Sequence, residues 1–111
     1  MAAASDSIEI SEMRHAASEA CALLKTLGNQ DRLLLLCQLA QGEFCVGELE
    51  TLVGISQPTL SQQLGVLRDE GLVKTRREGK RICYSVASKE ALAVMQVIHQ
   101  LFCGKRKGKK R

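Results

Sequence analysis

The sequence has no tryptophan, one tyrosine and two phenylalanines, so aromatics make up only 3% of its 111 residues. Apolar residues still reach 45%, enough for one domain with one core, and that core must be mostly Leu, Val, Ile and Ala. Pro58 is the single proline, which together with several amphipathic stretches favours a mainly helical chain. No apolar run approaches the roughly 20 residues that a spanning helix needs. Residues 1–10 lack a basic start and an apolar stretch, so no secretion signal is expected and the cytoplasm is the expected compartment. The five cysteines, Cys21, Cys37, Cys45, Cys83 and Cys103, are odd in number and form no CxxC. A structural disulfide framework is therefore not expected, which leaves reduced thiols, metal ligation or redox sensing.

Charge is unevenly spread. The net value is +4, yet residues 105–111 alone hold six of the sixteen Lys and Arg and no acid. Residues 1–53 carry three basic and eight acidic groups. Residues 68–81 reverse this, with Arg68, Lys74, Arg76, Arg77, Lys80 and Arg81 against three acids. Positive regions on an otherwise acidic body are the footprint of phosphate contact at a defined face. Residues 104–111 read as a basic, disordered tail, with auxiliary DNA contact open to it.

Residues 1–10 read as a disordered arm and residues 11–103 as one domain. From Met13 the apolar positions Ala16, Ala17, Ala20, Leu23, Leu24 and Leu27 recur at helical steps. Gly28 suits a helix stop and Asn29 an N-cap for a second helix. That second helix holds Leu33, Leu34, Leu35, Leu36, Cys37 and Leu39 and, apolar almost all round, is expected to be central and buried. A short helix follows over about Val46–Val53. After Gly54-Ile55-Ser56, Ser56 suits an N-cap, with Pro58 in the first turn of a helix running to about Glu70 and stopped by Gly71. Residues 72–77 and 81–86 are strand-like, with Glu78-Gly79-Lys80 as the turn between them. Ser88 caps a last helix bearing Ala91, Val94, Met95, Ile98, Leu101 and Phe102. The predicted class is mainly α with a small β-hairpin, in the order α-α-α-α-β-β-α.

Two helices joined by a short Gly-containing turn can present the second to a DNA major groove. With Leu60, Leu64 and Leu67 inward, Gln62 points away, Thr59 and Ser61 flank it, and Gln57 lies at the helix start. Gln can pair with adenine in bidentate fashion, and Ser and Thr contact many base edges. The hairpin carries Arg76, Arg77, Lys80 and Arg81 around its turn, as a wing that reaches phosphates or the minor groove. The expected DNA-contacting set is Ser56, Gln57, Thr59, Ser61, Gln62, Gln63, Arg68, Arg76, Arg77, Lys80 and Arg81.

The run from Ser56 to Leu64, with Leu67-Arg68, Gly71-Leu72-Val73, Arg76 to Lys80 and Tyr84, resembles the ArsR/SmtB family of bacterial repressors over about residues 13–103. The resemblance implies a winged helix-turn-helix, a homodimer joined through its first and last helices, and an inverted-repeat operator on double-stranded DNA. It also implies release by an inducer. Members with a C-x-C metal site match here only at Cys45, because Gly47 stands at the second position. The Asp/His type is matched only by His99, so no metal ligand set and no cofactor is expected. Cys37 and Cys103, 66 residues apart, resemble the dithiol of the family's persulfide- and redox-sensing branch. There a disulfide or polysulfide bridge releases DNA, which makes persulfide or another reactive sulfur species the implied inducer. Read from the residues alone, both thiols are equally small buried apolar groups. Cys45, at an expected N-cap, can have a lowered pKa, and a metal-responsive repressor using Cys45 with Cys21 or Cys37 stays open. A thiol enzyme is not expected, since no CxxC occurs and neither His15 nor His99 shows a linked acid.

Overall fold

The computed structural model describes residues 9–104. The arm expected over residues 1–10 lies outside them as far as residue 8, and the basic tail expected over 104–111 lies outside them from residue 105. The chain runs α1 (Ile10–Leu27), α2 (Gln30–Leu39), β1 (Phe44–Cys45), α3 (Val46–Val53), α4 (Thr59–Asp69), β2 (Val73–Glu78), β3 (Arg81–Val86) and α5 (Lys89–Ile98). A wider π-helical turn, His99–Gly104, continues α5.

Local chemistry sets most of these boundaries. The Asn29 side chain accepts from the Arg32 N–H at 3.0 Å, capping α2. The Ser88 hydroxyl does the same for α5 by accepting from Ala91 N–H at 3.0 Å. Gly54 and Gly71 end α3 and α4 with φ of 72° and 77°, a region where a Cβ is strained. The expected Ser56 cap of α4 does not form. Helix α4 begins at Thr59, and the Gln57 side-chain oxygen reaches over the first turn to accept from Ser61 N–H at 3.1 Å. Gln57 is long enough to span that turn, and Pro58 ahead of it has no N–H to satisfy.

The core gathers one face of each helix: Leu35, Leu36 and Leu39 of α2, Leu49 of α3, Leu60, Leu64 and Leu67 of α4, and Ala91 and Met95 of α5. The expectation of an all-buried α2 needs correction, because Leu34 is exposed and Leu33 and Cys37 are only partly covered. Helix α1 adds little to this core, with only Thr26 and Leu27 buried. Its Ile10, Met13 and Leu24 stay exposed, as do Leu101 and Phe102 after α5.

The sheet has three strands in the order β1-β3-β2, one more than the expected hairpin. Strands β2 and β3 pair from Val73↔Val86 to Glu78↔Arg81, closing on Gly79-Lys80 with Gly79 at φ 63°. Strand β1 pairs on the other side of β3 in the register Phe44↔Tyr84 and Cys45↔Cys83. Alternation along β3 therefore puts Arg81 and Cys83 on one face of the sheet and Ile82, Tyr84 and Val86 on the other.

Candidate nucleic-acid interface and thiol sites

Helices α3 and α4 pack on α2 and leave the outer side of α4 free. Ser56, Gln57, Ser61, Gln62 and Arg68 are exposed there, and Thr59 is half-buried. Gln63 faces elsewhere. Its side-chain oxygen accepts from Arg32 Nη1 at 2.9 Å, while Arg32 Nε donates to the Thr26 carbonyl at 2.7 Å. Gln63, expected among the DNA-contacting residues, here takes part in a tie between α4, α2 and the end of α1. Gln63 lies one helical step round from Gln62, and about 100° of rotation is enough to turn a side chain from solvent to a neighbouring helix.

The wing is less uniformly available than its composition suggested. Arg76 grips Glu43 with both Nε and Nη2, at 2.9 and 2.8 Å, and has Glu78 at 3.5 Å. These carboxylates hold the Arg76 pKa well above its usual value, and the Arg76 hydrogen bond holds the Glu43 carboxyl below the carboxylate range. Arg81 lies 3.7 Å from Glu48. Among the described residues Arg77, Lys80, Arg68 and Lys74 make no ion pair and are exposed. The free positive charge at the wing tip is therefore Arg77 with Lys80. In the sequence Glu43 and Glu48 are simply part of an acidic half, because a partner more than 30 residues away leaves no local signal.

The cysteines fall into two groups. Cys45 and Cys83 sit opposite each other on β1 and β3 and are linked as a cross-strand disulfide. This corrects the expectation of no structural disulfide, and it occupies the Cys45 thiol that the alternative metal reading joined with Cys21 or Cys37. The β1–β3 register brings Cys83 to Cys45, whereas Cys21 is exposed on α1. Cys45 does occupy the expected N-cap of α3, and its N–H donates to Glu48 Oε1 at 2.8 Å.

Cys37, Cys21 and Cys103 are free. Cys37 is half-buried beside an open pocket of about 510 Å³, which it shares with Ala40, Met95, His99 and Gln100. Burial first, and the charge of Cys103 second, push the Cys37 thiol pKa up. The second cause puts the exposed Cys103 of the π-helical turn within electrostatic reach of the half-buried Cys37 of α2. His15, for which no acid was expected, has Glu19 at 3.6 Å one turn along α1. Both side chains are well exposed, so the pair is a surface contact.

Residues 29–75 match the family model described as bacterial regulatory protein, arsR family. Over 96 residues the chain is 52% identical to the biofilm growth-associated repressor of Agrobacterium fabrum, covering 86% of this chain and 82% of that one. Its fold superposes on the crystal structure of the transcriptional repressor BigR from Xylella fastidiosa with a TM-score of 0.80 at 48% identity, covering 86% and 98% of the two chains. It also superposes on the homodimeric winged helix-turn-helix DNA-binding domain Mb0332 from Mycobacterium bovis, with a TM-score of 0.73 at 27% identity over 93% and 95%. Helix-turn-helix, basic wing and these likenesses agree: the chain is a winged helix-turn-helix DNA-binding transcriptional regulator and belongs to the arsR family.

Proposed function

We propose that the protein is a homodimeric repressor that holds an inverted-repeat operator until its Cys37/Cys103 dithiol is oxidised or bridged by sulfane sulfur. The observation that supports this reading is that Cys37 on α2 and Cys103 at the end of the last helix are both free thiols within electrostatic reach of each other. The exposed apolar positions Ile10, Met13 and Leu24 of α1 and Leu101 and Phe102 beyond α5 supply the two-fold interface. A bridge there ties the core helix to the dimer helix and so changes the separation of the two α4 helices, which operator half-sites require at about one helical turn. A coupling of about 1–3 kcal/mol is typical of such switches and changes occupancy roughly 5- to 150-fold. The protein works in the cytoplasm and acts without catalysis, through α4 and the wing.

The thiol chemistry has a natural order. Cys103 is exposed, whereas the raised pKa of Cys37 leaves it less thiolate at neutral pH. The Cys103 thiolate takes the outer sulfur of a small-molecule persulfide, and the carrier leaves as a thiol. Cys37 then loses its proton, attacks the Cys103 sulfur and expels hydrosulfide, closing a disulfide. A bridge that retains added sulfur needs a further persulfide to accept two electrons, leaving as thiol and hydrogen sulfide.

Glutathione persulfide is the probe, with intact mass and operator binding as readouts and hydrogen peroxide, zinc and arsenite for comparison. The reading expects an internal Cys37–Cys103 link together with weaker binding, both absent in Cys37→Ser. A full response in Cys37→Ser would overturn it.

A further inference from the structure

A second group of sulfur ligands lies between the wing and the start of α3. Cys45 ends β1, Cys83 faces it from β3, and Glu78 closes β2 on the same face of the sheet. The Sγ atoms of both cysteines and a Glu78 carboxylate oxygen all lie within 4.8 Å of one another. We infer that, when the Cys45–Cys83 disulfide is reduced, these three residues bind one thiophilic divalent cation of the zinc or cadmium class. The site is independent of the Cys37/Cys103 reading.

Several features fit the ion. Two thiolates on a tetrahedral zinc, with bonds of about 2.3 Å, stand about 3.8 Å apart, so the sulfurs now joined in the disulfide part on reduction to admit the ion. Cys45 and Cys83 are held on paired strands and need no backbone movement to meet. Both are buried while Glu78 is exposed, so the ion would be covered by sulfur on one side and open to a water in the fourth position. An open pocket of about 490 Å³, lined by Cys45, Val46, Gly47 and Glu48 with Lys80 and Arg81, gives an entry path. Of the cations around the site, Arg76 is offset by Glu43 and Arg81 lies near Glu48, while Lys80 is unpaired among the described residues, so two thiolates and Glu78 still leave the ligand group negative. Glu78 has only to turn from its 3.5 Å approach to Arg76.

The balance is simple. A thiol reductant supplies two electrons and two protons to open the disulfide, and the incoming cation displaces both thiol protons. The bound ion then ties the wing to the first helix of the helix-turn-helix, as the disulfide does. Oxidation and metal loading therefore exclude each other.

The test uses the full chain carrying Cys37→Ser and Cys103→Ser, which removes the other dithiol. Reduced protein is titrated with Cd²⁺ without oxygen, reading the ultraviolet cadmium–thiolate absorption and the bound stoichiometry by native mass spectrometry. One Cd²⁺ per chain is expected, and none after the Cys45–Cys83 disulfide is re-formed, a comparison that needs no further substitution. Cys83→Ser should abolish the absorption. Glu78→Gln should weaken binding by at least the roughly 10-fold that loss of even an outer partner costs. Absence of cadmium–thiolate absorption in the reduced chain, or equal binding by the oxidised chain, overturns the proposal.

Discussion

Removing the Arg77 side chain should lower the salt dependence of DNA binding, whereas removing Arg76 should barely change it. Both are exposed arginines on neighbouring positions of β2. Arg76 is engaged by Glu43 through two hydrogen bonds of 2.8 and 2.9 Å, so most of its charge is answered inside the protein. Arg77 makes no ion pair among the described residues and is free to meet a phosphate. Each phosphate neutralised contributes about 0.9 to the slope of log affinity against log salt. A dimer presents two Arg77 side chains, so Arg77→Ala should reduce the slope by about 1.8. Between about 50 and 200 mM salt, the variant then loses about 12-fold less affinity than the parent. Fluorescence anisotropy with a labelled duplex of arbitrary sequence is sufficient, because phosphate contacts do not read bases. Glu43→Gln is the complementary change, since it frees Arg76 and should steepen the slope. The reasoning fails if Arg76→Ala and Arg77→Ala lower the slope equally, or if Glu43→Gln leaves it unchanged.

Two further outcomes follow from the same geometry. Iodoacetamide at neutral pH should label Cys103 before Cys37, by peptide mass mapping, because burial and then the Cys103 charge raise the Cys37 pKa; Cys103→Ser should speed labelling of Cys37, and earlier labelling of Cys37 in the parent would contradict this. Gln63→Ala should cost about 1.5 kcal/mol in urea unfolding, since it strands the charged Arg32 donor. Gln62→Ala should leave stability unchanged and reduce discrimination between operator sequences. The reverse pattern would mean that the faces of α4 are misassigned.

Much of the molecule was legible because its signals are local. Leu60, Leu64 and Leu67 recur at helical spacing, Asn29 and Ser88 are short oxygen-bearing side chains at helix starts, and Gly79 stands at the tip of a hairpin. Each acts within a few residues of itself, so sequence distance and spatial distance coincide. The helix-turn-helix, the basic wing and their order along the chain followed from such signals, and the family likeness agrees with them.

What the tertiary structure alone decided depends on residues far apart in the chain. Strand β1 is two residues long, too short to show any alternation, yet its pairing with β3 brings Cys45 to Cys83 and makes a three-ligand group with Glu78. Glu43 sits in an acidic half of the sequence and answers Arg76, 33 residues on. Gln63 looks like its neighbour Gln62 until Arg32 is placed beside it. Composition counted the wing's charges and the chain's thiols. Only the packing of β1 and α2 against β3 and α4 separated the unpaired charges from those paired inside the fold, and the linked thiols from the free ones.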